Sequence, residues 1–128
     1  MQLEHVALNV ADPVKMADWY VKNLGLKVAM KLDKPPHTHF LVDSGGKMML
    51  EIYNNPPDQV PDYGKMNPLL LHVAFVSHDP DTDKALLTSA GASIVEEIHM
   101  DDGSHIVMLR DPWGLAIQLC KRGRPMVE

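Results

Sequence analysis

One cysteine, Cys120, stands in 128 residues, so no disulfide can form within the chain. That excludes the stapled frameworks on which many small extracellular domains depend. Long hydrophobic runs are missing too: none approaches the roughly 20 apolar residues needed to cross a bilayer. The opening MQLEHVALNV has neither the basic start nor the apolar stretch of a secretory signal. Positive charge is sparse, with 12 Lys and Arg against 17 Asp and Glu and a net charge of −5. The one dense basic run is Lys121-Arg122-Gly123-Arg124, which disfavours a protein that grips nucleic acid by bulk electrostatics. No glycine-rich phosphate loop is present, because Ser44-Gly45-Gly46-Lys47 lacks the required spacing. These absences predict a cytoplasmic protein with no membrane or nucleic-acid partner.

What is present suits one compact domain, with 45% apolar and 23% charged residues. Seven histidines and nine methionines outnumber the two Phe, two Trp and three Tyr. The strongest signal is internal repetition. Residues 3–13 read LEHVALNVADP and residues 70–80 read LLHVAFVSHDP, with six of eleven positions identical at an offset of 67. The same offset carries Glu51 onto Gln118, each in the middle of an apolar run.

Each copy follows one grammar. Alternating apolar strands over 3–10 and 69–76 end at Asp-Pro, where Asp12 and Asp79 are natural helix caps and proline opens the first turn. Helices are expected over 14–23 and 81–89, with Gly25 and Gly91 at left-handed exits. Three further strands follow in each copy: 27–32, 38–43 and 47–54 in the first, then 93–99, 105–110 and 115–121 in the second. The chain therefore reads as α+β, two βαβββ modules. Module 1 spans 1–54, a stiff non-helical linker with four prolines spans 55–68, module 2 spans 69–122, and 123–128 form a tail. Each half is small for a core of its own, so residues 1–128 are expected to act as a single domain.

Four polar residues fall among apolar neighbours on the repeat offset: His5 with His72, and Glu51 with Gln118. If the modules pair about a pseudo-twofold axis, all four converge. A shared divalent metal would offset the cost of burying each alone, roughly 1–3 kcal/mol for an unpaired polar group. Two imidazoles with carboxylate and amide oxygens suit zinc, nickel, iron, manganese or cobalt.

These segments resemble the vicinal oxygen chelate superfamily, which includes glyoxalase I, bleomycin- and fosfomycin-resistance proteins, methylmalonyl-CoA epimerase and extradiol dioxygenases. The resemblance rests on HVALNVADP, WYVKNLGLKV, LEIYN, HVAFVSHDP and LRDPWGLAIQL, and covers essentially the whole chain. It implies two modules curled into an incomplete barrel around a metal, zinc or nickel foremost, held by His5, Glu51, His72 and Gln118. It also implies a glyoxalase I-like lyase or isomerase, with a non-catalytic bleomycin-resistance-like binder, an epimerase or an extradiol dioxygenase as alternatives. Glyoxalase I usually has a glutamate where this chain has Gln118. An amide cannot serve as a general base, which leaves Glu51 as the proton shuttle. Open sheet edges predict a homodimer acting on a small molecule.

Other candidates are weaker. His37 and His39 follow Pro35-Pro36 and read as solvent-facing loop residues, with a substrate mouth as the alternative. His78 reads as exposed, while His99 and His105 are placed to pair across the Asp102-Gly103 turn. At least half of Met30, Met48, Met49 and Met108 are expected in the core. Tyr53 shares a face with Glu51, as core or cup wall. Arg110 is set to bind an anionic group or to cap its local loop, and Cys120 is not expected to act as a nucleophile.

Overall fold

A computed structural model describes residues 1–127. It divides the chain into two compact units, Met1–Pro61 and the described residues from Asp62 onward. The first contains β1 (His5–Asn9), α1 (Pro13–Leu24), β2 (Lys27–Lys31), β3 (His39–Val42) and β4 (Met49–Tyr53). The second contains a 3-10 turn (Tyr63–Lys65), then β5 (Val73–Val76), α2 (Pro80–Ser89), β6 (Ser93–His99), β7 (His105–Arg110) and β8 (Ala116–Lys121). Each unit is an open four-stranded sheet with one helix. The strand orders are β1-β4-β3-β2 and β5-β8-β7-β6.

The repeat holds at the level of single rungs. Ala7 lies opposite Glu51 in the parallel β1–β4 ladder, and Ala74 lies opposite Gln118 in β5–β8. Even the irregularities match, with a register shift between Val28 and Met30 in β2 and another between Ile94 and Glu96 in β6. Both helices start as the sequence predicts. The carboxylates of Asp12 and Asp79 accept from the backbone N–H of Lys15 and Thr82, and proline opens each first turn. Gly25 ends α1 at φ 70°, a left-handed value that a side chain would resist.

Helix and sheet bury one face of each unit. In the first, Met16, Ala17 and Tyr20 of α1 share a buried layer with Leu41, Leu50 and Ile52. In the second, Leu87 of α2 joins Val107, Leu109, Ile117 and Leu119. Alternation along a strand then aims the other face of each sheet away from the helix.

Several local expectations change. The strand expected over 69–76 begins only at Val73, because residues before it turn back: Leu70 N donates to Asn67 O, and Leu69 and Leu70 are exposed. The linker holds a short 3-10 turn instead of being wholly non-helical, and Arg110 fastens it by donating to Tyr63 O and Met66 O as well as to Gly114 O. Arg110 thus caps its local loop. Of the four strand methionines only Met108 is buried. Met30 and Met48 are exposed, and Met49 is half-buried on the Glu51 face. His39 is also inside rather than on a loop: it starts β3, and its Nδ1 pairs with His37 O at 2.7 Å.

Candidate metal centre

The site begins with the position of β4. It runs between β1 and β3, so Glu51 is an interior-strand carboxylate and not an edge charge. Met49, Glu51 and Tyr53 share the face away from α1, while Leu50 and Ile52 pack inward. Phe40 of β3 is the rung partner of Glu51 on the other side. His5, two residues before Ala7, shares this face, and its ring meets Phe40 edge-on with centroids 5.4 Å apart.

His5 Nε2 lies 3.3 Å from Glu51 Oε2, and His5 Nδ1 lies 2.9 Å from Glu4 Oε1. With the Nδ1 proton donated to Glu4, Nε2 presents a lone pair toward a carboxylate oxygen. The nitrogen and the carboxylate oxygen face each other across a gap that a proton or a cation can fill. Donors about 2.1 Å from a single ion stand roughly 3.0–3.4 Å apart, so this pair fits adjacent positions of a metal shell.

The second unit carries the corresponding residues. His72 sits one residue before β5, and its Nδ1 pairs with Pro68 O at 2.8 Å. A backbone carbonyl on Nδ1 fixes the tautomer that leaves Nε2 bare, the usual preparation of a metal-ligating histidine. Gln118 lies between Ala74 and Met108, just as Glu51 lies between Ala7 and Phe40. The Cys120 thiol donates to Gln118 Oε1 at 3.0 Å, which orients the amide oxygen. Burial pushes that thiol above its ordinary pKa, with Arg122 opposing, which favours the protonated donor form. The structure brings His5 to Glu51, whereas no direct hydrogen bond joins His72 to Gln118 among the described residues.

At the ends of β5 and β8 lies a cavity of about 460 Å³, lined by Ala74, Val76, Cys120, Arg122, Met126 and Val127. That volume is in the range of small-molecule pockets. His78, exposed as expected, also borders it.

Sequence reasoning missed one cluster, on the α2 side of the second sheet. Glu97 and His99 of β6 share a face, and His105 of β7 is the rung partner of His99. Their rings stack with centroids 4.0 Å apart, so the expected cross-turn pairing is present. His105 Nε2 lies 2.6 Å from Glu97 Oε1, and Lys84 of α2 donates to both Glu97 oxygens at 2.7 and 3.0 Å. The Lys84 ammonium, then the His105 bond, holds the Glu97 carboxyl below its ordinary pKa, and Glu97 with Asp81 raises that of Lys84. The signal was Glu-x-His on a strand with a histidine across a tight turn.

A sequence profile of the Glyoxalase/Bleomycin resistance protein/Dioxygenase superfamily matches residues 2–119. No curated protein matches the chain. Among solved structures, the chain is similar to TnmS3, an antibiotic binding protein from Streptomyces sp. CB03234, at 19% identity and TM-score 0.74, covering 95% of this chain and 96% of that one. It is similar to a glyoxalase family protein from Enterococcus faecalis at 26% identity and TM-score 0.71, covering 94% and 97%. It is also similar to TioX from Micromonospora sp. ML1 at 21% identity and TM-score 0.70, covering 95% and 99%.

Proposed function

The chain belongs to the glyoxalase/bleomycin resistance protein/dioxygenase superfamily, and on that premise we propose a metal-dependent enzyme that moves a proton next to a carbonyl of a small substrate with vicinal oxygens. His5, Glu51, His72 and Gln118 would hold one divalent ion. Zinc or nickel comes first, and iron, manganese and cobalt are compatible with the same donors. When bound, the ion supplies Lewis-acid stabilisation of negative charge on substrate oxygen. The observation that carries the reading is the His5–Glu51 pair, an imidazole nitrogen and a carboxylate oxygen facing each other at 3.3 Å. The matched Nδ1 bonds of His5 and His72 support it.

Glu51 is the sole carboxylate of the four, so it takes the proton from substrate carbon and returns it to the neighbouring carbon. Its half-buried place beside Phe40 limits competition from water. Gln118 has no titration near neutral pH; it binds and orients. A metal-reconstituted assay on the glutathione–methylglyoxal hemithioacetal tests the reading with wild type, Glu51→Gln and Gln118→Glu. Turnover in wild type that collapses in Glu51→Gln supports it. Equal turnover in wild type and Glu51→Gln removes the proton-shuttle role, and absence from all three removes this substrate.

A second reading is a non-catalytic small-molecule binder. It is favoured by the neutral Gln118, already bonded to a protonated thiol, and by the apolar-lined cavity beside it. TnmS3, an antibiotic binding protein, shows that a protein of this fold can do such work. A homodimer belongs to the same proposal. Edge strands β2 and β6 expose Val28, Met30, Ile94 and Ile98, and proteins cover such edges. Sedimentation at tens of micromolar is expected to give a dimer, and a monomer there contradicts it. Cytoplasmic location is likewise proposed, supported by the lone reduced Cys120. No helix among the described residues is long and apolar enough to cross a membrane.

A further inference from the structure

The geometry points to a second metal site, for a zinc-class divalent ion, built by Glu97, His99 and His105 on the α2 side of the β6–β7 hairpin. One ligand atom from each of the three lies within 4.8 Å of the others. Strand alternation puts this cluster on the face opposite Gln118, since Gln118 pairs with Met108 while Glu97 pairs with Val107. It therefore does not depend on the His5, Glu51, His72 and Gln118 set.

Three features make the cluster more than a surface network. Its donors, two imidazoles and one carboxylate, are a set that zinc accepts with a fourth position left open. The backbone fixes their spacing, because Glu97 and His99 are two apart on one strand and His105 is the cross-strand partner of His99. Burial is graded toward an open side: the His105 side chain is 9% exposed, Glu97 26% and His99 70%. The hairpin turn holds that spacing, as Asp102 Oδ1 accepts from Ser104 N and Gly103 adopts φ 87°.

A cation already stands at the carboxylate. The Lys84 ammonium bonds both Glu97 oxygens and also pairs with Asp81 at 3.1 Å. A metal ion must take the place of that ammonium at Glu97 and of the proton between His105 Nε2 and Glu97 Oε1, and the exposed His99 ring must turn out of its stack so that both imidazoles aim at one ion. Lys84 can withdraw to Asp81 without losing all its partners. Lysine and metal thus compete for one carboxylate, and removing the lysine should tighten metal binding.

Zinc titration followed by calorimetry tests this with four variants. In His5→Ala/His72→Ala, one zinc per chain is expected to remain, and adding His99→Ala should abolish it. The exposed His99 supports no core, so that variant retains the fold. In Lys84→Met, affinity for this zinc should rise severalfold, because no ammonium then competes for the Glu97 carboxylate. In the otherwise wild-type chain, His99→Ala should lower the zinc content by one. No zinc bound by His5→Ala/His72→Ala, or full binding retained after His99→Ala, overturns the site while leaving the proposed catalytic centre untouched. An unchanged affinity in Lys84→Met overturns the competition.

Discussion

The two units are copies whose central rungs agree and whose chemistry does not. Ala7–Glu51–Phe40 in one corresponds to Ala74–Gln118–Met108 in the other. Both histidines are held through Nδ1, but by different means: an exposed carboxylate at His5 and a backbone carbonyl at His72. The outer hairpins also diverge. At the rungs where β6 places Glu97 and His99, the β2 side has Lys31 and then Asp33, which pair with each other at 3.7 Å. The first hairpin turns through Pro35, Pro36 and His37, the last at φ 56°, while the second turns tightly through Asp102 and Gly103. Duplication has kept what builds the sheets and released the residues that face outward. One copy thus carries the Glu51 carboxylate at its central rung, and the other carries the Glu-His-His cluster.

The sharpest way to break that division is to erase it. Glu51→Gln makes both central rungs amides, and turnover should fall by about 10²–10⁴-fold, the usual contribution of a positioned general base. Steady-state kinetics on the metal-loaded variant read this, and a KM change alone would contradict it. Gln118→Glu erases the difference in the other direction. It should raise isomerase turnover on the hemithioacetal, provided the second carboxylate displaces the Cys120 thiol bond. A Gln118→Glu variant no faster than wild type would show that the rungs are not interchangeable.

The shared scaffold should respond alike in both copies. Ile52 and Leu119 are 0% and 2% exposed, on the helix-facing side of equivalent strands. Truncating either to alanine should cost about 2–5 kcal/mol in denaturant unfolding. A loss confined to one of them would separate the copies energetically.

The smallest effect concerns the hairpins. Glu97 titrates below its ordinary value when folded, so the stability from its pairing with Lys84 and His105 is present above pH about 4.5 and lost as pH falls through the lowered value. Lys84 is raised, so its share is present below pH about 10.5 and lost as pH climbs through the raised value. Glu97→Gln should flatten both ends of the stability–pH curve. A Lys31→Gln change in the first copy should do neither, because Lys31 pairs only with the exposed Asp33.

Much of this was legible before any coordinates. The offset of 67 puts Glu51 and Gln118 on equivalent rungs, and Asp-Pro marks both helix starts, because duplicated strands and capped helices leave local patterns. What escaped was set by tertiary contacts. Residues 69–71 look like strand, yet Pro68 and Asn67 bend them into a turn, and His72 bonds back to Pro68. His39 looks like a loop residue after two prolines, yet its rung opposite Ile52 draws it inside. Met30 and Met48 pattern as core, yet Met30 shares the Phe40 face, which α1 does not cover, and Met48 stands just outside β4. Lys84 reaches Glu97 across thirteen residues from another element, which no strand pattern reveals.

The central proposal is that His5 and His72 serve one ion. Metal content measured after chelator-free purification tests it most directly, using His99→Ala as the parent so that the hairpin site is silent. The parent should carry one ion per chain, and adding His5→Ala or His72→Ala should each bring it to near zero while circular dichroism stays unchanged. Retention of the full ion after either histidine is removed, or two ions in the parent, would contradict the account.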